Sequence, residues 1–329
     1  MLNMLKDRLR GAQASGREDT RSRLAATVIQ GSDAYLFHRD GYALQQVTGE
    51  RPLDTRALNL WISSLETRKA WCEARGITFR FLVVPEKHVV YSDKLPDRMT
   101  ISENRPARQI LSGLDESTRS AALYPLAEMQ AGRSVRDTYY VTDSHWTTYG
   151  ALLGCRVIGA SLQAERPFQE VPDAELAWLP RPNVGDLGVR LEPEQEETVD
   201  VVAINSSCEI RTVFQNKLFA RGSLMVLETN RPELPRGVLF RDSFAVNMIH
   251  VLVQSFSRLV VVGSQSVHYD LLRQERPDIV IAETCERFLG MPDPAQAIEL
   301  PQDLDGPDFP TFTGVPFSEF AAKAGAGGS

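Results

Sequence analysis

Apolar residues along this chain recur with two different periods. Between Leu53 and Arg75 the positions Leu58, Trp61, Ile62, Leu65 and Trp71 return at roughly helical spacing and Gly76 follows as a stop, which predicts an amphipathic helix. Directly after it, ITFRFLVVP is an unbroken β-branched and aromatic run ended by proline, the pattern of a buried strand. Further on, GVLFRDSF, RLVVVGS and PDIVIAE predict three more strands. FAVNMIHVLVQSF and VHYDLLRQE predict the helices between them, and TCERFLG a final helical turn. Strands alternating with helices imply right-handed crossovers and a parallel sheet covered on both faces, so the fold class is α/β. From Pro167 to Pro235 the pattern changes to prolines, glycines and the acidic run LEPEQEE, with β-like VDVVAIN, EIRTVF and SLMVLE. This reads as a β-rich insertion, 167–235, within the same domain.

Composition narrows the picture. At 329 residues with 43% hydrophobic content the chain can bury a full core. A net charge of −7 removes the concentrated basic surface that nucleic acid or an anionic membrane would require. The four cysteines, Cys72, Cys155, Cys208 and Cys285, form no CxxC pair, so neither a zinc site nor a redox motif is expected, and most read as small buried hydrophobes. Near the start, Leu2, Leu5 and Leu9 predict a short basic amphipathic helix, interrupted by Lys6, Asp7, Arg8 and Arg10 and therefore unlike a signal peptide. AAKAGAGGS at the end reads as a flexible tail. The expected organisation is an N-terminal segment 1–30, a catalytic domain 31–316 and a tail 317–329.

Chemistry enters with two stretches. VTDSHWTTYGA holds Asp143 and His145 two residues apart, and GVLFRDSFAVN places Ser243 at the carboxyl end of a predicted strand, where open α/β sheets bind ligands. A serine nucleophile needs a base to take its proton, and that imidazole needs a carboxylate to hold its tautomer. Taken singly, each residue has a plainer reading as a helix cap. Together they supply a complete Ser-His-Asp set. Backbone N–H groups at the strand end would serve an oxyanion.

These motifs resemble the SGNH-hydrolase-like proteins that include the alginate O-acetyltransferases of bacterial exopolysaccharide pathways and the related DHHW-type proteins. TDSHWTTYGA and RDSF carry the resemblance. GSDAYLFHRD, VVPEKHVVYSDKLP, GDLG (Gly185 to Gly188) and PDIVIAETCERFL extend it in the same order. It implies an SGNH-hydrolase-like, flavodoxin-like parallel sheet flanked by helices, with a circularly permuted motif order because the serine follows Asp-x-His. It also implies Ser243 as nucleophile, His145 as general base and Asp143 as orienting carboxylate. Arg241 stands where many SGNH proteins have glycine, either to bind an anionic group or to form a structural ion pair. Lys87, Tyr91 and Trp146 are the expected substrate-binding residues, against plainer readings of a surface lysine and packed aromatics.

Glu286 and Arg287 read as a structural pair, and His38, His88, His250 and His268 as core or surface histidines. The function implied is O-acetyl transfer to a polysaccharide or oligosaccharide, with no cofactor and no metal, and with the acetyl donor delivered by a carrier or a membrane acyltransferase. The sequence leaves open an acetylesterase with the same residues and a non-catalytic glycan-binding protein. Without an export signal it points to the cytoplasm, whereas the resemblance points to the periplasmic face.

Overall fold

A computed structural model describes residues 22–290, apart from 40, 41, 167, 217, 219 and 220. The N-terminal amphipathic helix and the tail expected from the sequence lie outside the described residues.

The continuous apolar runs form the centre of a seven-stranded sheet. β3 (Thr78–Val84) lies between the short β4 (Ala122–Leu123) and β11 (Ile279–Cys285); β9 (Arg236–Phe240) and β10 (Arg258–Val262) follow, all five parallel. Every residue of β3 and β11 is buried, as expected where helices cover both faces of a parallel sheet. Side-chain alternation then divides the core. Leu82, Leu239, Val261 and Ile281 pack on one face, whereas Phe81, Val238, Val260 and Val280 pack on the other.

Helix α1 (Thr55–Glu73) covers the second face, capped by Asp54, whose carboxylate accepts from Ala57 N at 2.7 Å. Gly76 closes its exit at φ +70°, a conformation that favours glycine. Helix α2 (Pro106–Gly113) and helix α4 (Tyr269–Glu275) lie on the same side. Helix α3 (Thr148–Leu162) covers the first face.

Two expectations change. The sheet is mixed, because β8 (Leu224–Thr229) adds antiparallel to β10 and β7 (Ile210–Gln215) adds antiparallel to β8. The 167–235 stretch is thus partly an extension of the main sheet. Its other strands, β5 (Leu176–Asn183) and β6 (Glu197–Ile204), form a separate hairpin. FAVNMIHVLVQSF is not one helix but three short pieces, Phe244–Asn247, Ile249–Leu252 and Val253–Ser255. Val251, Leu252, Val253 and Phe256 are all buried, so the apolar positions surround the segment instead of lining one stripe. A small antiparallel pair, β1 (Val28–Gln30) with β2 (Leu36–His38), lies beside the sheet. Among the described residues no helix is long and apolar enough to cross a membrane. All four cysteines are free thiols.

Candidate active site

The strand order brings the carboxyl ends of β3, β9 and β11 to one edge, and the chain leaves each end through residues that matter for the site. After Phe240 it turns through Arg241 and Asp242 to Ser243. Asp242 holds this turn: its carboxylate accepts from Phe244 N at 2.8 Å and from Cys285 N, at the end of β11, at 2.7 Å. Ser243 makes no capping bond. Its Oγ lies 2.9 Å from His145 Nε2 instead.

His145 and Asp143 come from an irregular loop closed by a bridge between Tyr139 and Trp146. Neither caps the helix that follows. That role falls to Thr147, whose Oγ1 accepts from Gly150 N at 3.1 Å. Asp143 Oδ1 lies 2.7 Å from His145 Nδ1 and also accepts from His145 N at 2.9 Å. A carboxylate only accepts, so Nδ1 carries the proton and Nε2 is left to accept from the serine hydroxyl.

An irregular loop holds such geometry only if its backbone groups are satisfied elsewhere. Glu197, the first residue of β6, accepts from Val141 N and Thr142 N, both at 2.8 Å, and from Thr142 Oγ1 at 2.6 Å. The GDLG turn wraps the other side. Leu187 N and Gly188 N donate to Thr142 O at 3.2 and 2.9 Å, Gly185 N donates to Thr142 Oγ1 at 3.0 Å, and Asp186 N donates to Asp143 Oδ2 at 3.0 Å. A Cβ on Gly185 would stand 2.3 Å from Thr142 O, which requires glycine there.

Two further bonds join the loop to the Ser243 turn about a hundred residues away: Trp146 Nε1 donates to Phe244 O at 2.7 Å, and Asn247 Nδ2 donates to Trp146 O at 2.8 Å. The Phe244 ring packs against the His145 imidazole at 4.5 Å between centroids.

Burial works against a charged His145, but the hydrogen bond and negative charge of Asp143 outweigh it and raise the imidazole above its ordinary 6.5. Burial likewise opposes ionisation of Asp143. The His145 hydrogen bond and charge prevail and hold its carboxyl well below the usual range. Beside it, burial and the Asp143 charge push Asp186 up.

A family model described as SGNH hydrolase-like domain, acetyltransferase AlgX, matches residues 28–223, more than half of the chain, including Asp143 and His145. The chain belongs to this SGNH hydrolase-like acetyltransferase family. The match ends before Ser243, which joins the site through the fold. No curated protein sequence matches the chain.

Solved structures share that fold at low identity. Bacillus cereus PatB1 with a sulfonyl adduct is 14% identical with a TM-score of 0.61, covering 80% of this chain and 97% of its own. A DHHW family protein from Eubacterium siraeum is 15% identical with a TM-score of 0.57, covering 76% and 90%. The O-acetyltransferase domain of Pseudomonas putida AlgJ is 15% identical with a TM-score of 0.53, covering 81% and 93%.

Within this SGNH-like site, the residues expected to bind substrate lie deeper than the sequence suggests. Lys87 is buried, and its ammonium donates to Leu36 O at 2.6 Å, Val141 O at 2.9 Å and Asp143 O at 3.1 Å. It supports the loop from below, and burial pulls its pKa down to about 7. Tyr91 is buried with its hydroxyl accepting from Thr138 N at 2.9 Å. Trp146 is fully buried behind the histidine. Arg241 is buried and donates to Ser223 Oγ at 2.8 Å and Asp242 O at 3.1 Å.

The expected pairing of Glu286 with Arg287 is also corrected. Glu286 takes Arg105 at 2.9 Å, while Arg287 takes Glu86, two residues beyond the end of β3. His88 and His268 are core histidines.

Sequence reasoning missed Glu197, Asp186 and Arg287 as parts of the site. Their only signals were the acidic run and the GDLG and CERF motifs, none of which says what the residue touches. Asp143, His145 and Asp186 offer ligand atoms within 4.8 Å of one another, as a divalent cation would need. All four carboxylate oxygens, however, accept from protein donors. A cation would therefore compete with the bonds that orient His145.

Proposed function

We propose that this acetyltransferase-family chain is an O-acetyltransferase that moves an acetyl group to a hydroxyl of a bacterial polysaccharide or oligosaccharide through an acetyl-Ser243 intermediate. The observation that carries the reading is the continuous line from Ser243 Oγ to His145 Nε2 at 2.9 Å and from His145 Nδ1 to Asp143 at 2.7 Å.

As Ser243 Oγ attacks the acetyl carbonyl, His145 Nε2 takes its proton, and Asp143 stabilises the resulting imidazolium. The Ser243 backbone N–H donates to the developing oxyanion. His145 then returns the proton to the departing oxygen or sulfur of the donor, leaving acetyl on the serine. In the second half the acceptor hydroxyl loses its proton to His145 and attacks the acetyl carbonyl, and Ser243 leaves with that proton. The donor is an acetyl ester or thioester, supplied by a carrier or a membrane acyltransferase.

Intact-mass spectrometry after incubation with a chromogenic acetyl ester tests this. An acetyl adduct on the wild type and none on Ser243→Ala is expected, followed by acetylated sugar when an oligosaccharide is added. Free acetate alone, with abundant acceptor present, would make the protein an esterase. A folded wild type without adduct or turnover would leave only glycan binding.

A further inference from the structure

We propose that Asp186 is a positioning residue of this reaction, a second half-buried carboxylate that grips Ser144 and places its negative charge beside His145, so fixing the aim and the basicity of the general base. The inference rests on the Ser243–His145 reading above.

Asp186 belongs to the Gly185–Gly188 turn, more than forty residues from the loop that it serves, and both of its oxygens are committed to that loop. Ser144 N donates to Oδ1 at 2.7 Å and Ser144 Oγ to Oδ2 at 2.9 Å. Ser144 lies between Asp143 and His145, so this grip fixes the backbone on which both side chains sit. A ligand oxygen of Asp186 lies within 4.8 Å of an Asp143 oxygen and of a His145 ring nitrogen.

Behind it the charges alternate. Arg287 NH1 donates to Ser144 Oγ and NH2 to Ser144 O, both at 3.2 Å, and Glu86 holds Arg287 in turn. The charged groups facing the imidazole are Asp143 on its own loop, Asp186 on the turn, Asp242 on the nucleophile turn and Arg287 beyond β11, with Lys87 beneath the Asp143 carbonyl. Asp186 adds to the pull of Asp143 on the His145 proton, and Arg287 works against both.

Asp186→Asn removes the charge and keeps the shape. Its amide oxygen still accepts from Ser144 N, its NH2 reverses the bond to Ser144 Oγ, and the backbone N–H that reaches Asp143 stays in place. The acidic limb of kcat/KM for acetyl-ester turnover is expected to move down by about one pH unit, with kcat about tenfold lower and KM little changed. Arg287→Gln, which removes the opposing charge, is expected to move the limb up.

The His145 imidazole titration, followed by nitrogen NMR in a Ser243→Ala background with and without Asp186→Asn, reads the same shift without turnover. A lower midpoint in Asp186→Asn supports the proposal; an unmoved or raised midpoint overturns it and leaves Asp186 a purely structural support. Should Asp186→Asn fail to fold, Asp186→Ser carries the same test. If wild-type protein forms no acetyl adduct, the underlying reading fails. An adduct on the wild type combined with an unmoved midpoint sinks only the role of Asp186.

Discussion

Ser243 and His145, the proposed nucleophile and base, are held by different means. Ser243 follows the last residue of a buried parallel strand by three positions, and its turn is pinned to the neighbouring strand by two carboxylates, Asp242 and Glu283. His145 sits in a loop with no regular structure, held by Glu197 from one side, the GDLG turn from another and Lys87 from below. One half of the site inherits its precision from the sheet. The other assembles it from side-chain and turn hydrogen bonds contributed by elements far apart in sequence. Damage to the supports of Ser243 should therefore appear as lost stability, and damage to the supports of His145 as lost rate in a folded protein.

The largest effect joins the halves. Ser243→Ala and His145→Ala should each lower acetyl transfer by at least about a thousandfold, and the double variant should be no worse than either single one, because the residues act as a unit. Steady-state kinetics with a melting curve for each variant would settle it, and additive losses would separate the two residues.

Next comes the loop. Gly185→Ala places a methyl group 2.3 Å from Thr142 O and 2.5 Å from Asp143 Cβ. Displacement of Asp143 on this scale should cost about a hundredfold in kcat while circular dichroism stays native.

The sheet side should respond in the opposite sense. Asp242→Ala leaves two strand-end donors, Phe244 N and Cys285 N, without their acceptor. Chemical denaturation should then show a loss of about 1–3 kcal/mol for each stranded N–H. If Asp242→Ala cost rate alone, the division between the halves would collapse.

The smallest effect is one of pH. Since Asp143 raises the His145 pKa above 6.5, kcat/KM should fall about tenfold per unit as pH drops below a limb lying above 6.5. Linkage runs the other way. A group whose pKa is raised by folding lends stability that is complete below its unfolded value and lost as pH rises through the folded one. Activity should therefore appear over the same interval in which that stabilisation fades, and parallel pH series of rate and melting temperature would show it.

Much of the sheet was legible because buried parallel strands must be continuously apolar: Thr78–Val84 and Arg258–Val262 fall inside the runs that predicted them, and Ile279–Cys285 overruns its run by Thr284 and Cys285, which read as the start of a helical turn. Asp143, His145 and Ser243, which the structure brings within hydrogen-bond distance, could be singled out because the chemistry proposed for them demands particular residue types at strand ends and turns. What failed were residues whose role depends on a distant partner. A buried lysine with three carbonyl acceptors, such as Lys87, looks in sequence like any surface lysine. Glu286 and Arg287 are adjacent, yet each finds its counter-charge on another element. Asp186 lies 42 residues from the serine that it grips. Strands β7 and β8 read as an insertion because alternation says nothing about which sheet a strand will join.

Trp146 joins the two halves in a way that light can report. Its indole is completely buried, lies against Phe244 with ring centroids 6.3 Å apart, and donates to the Phe244 carbonyl of the nucleophile turn. Any opening that parts the loop from the turn must expose this ring to water and break that bond. With Trp61, Trp71 and Trp178 changed to phenylalanine, the emission of the remaining indole would follow the docking of base and nucleophile directly. An intrinsic fluorophore would thus register whether the site is assembled before the global unfolding transition begins.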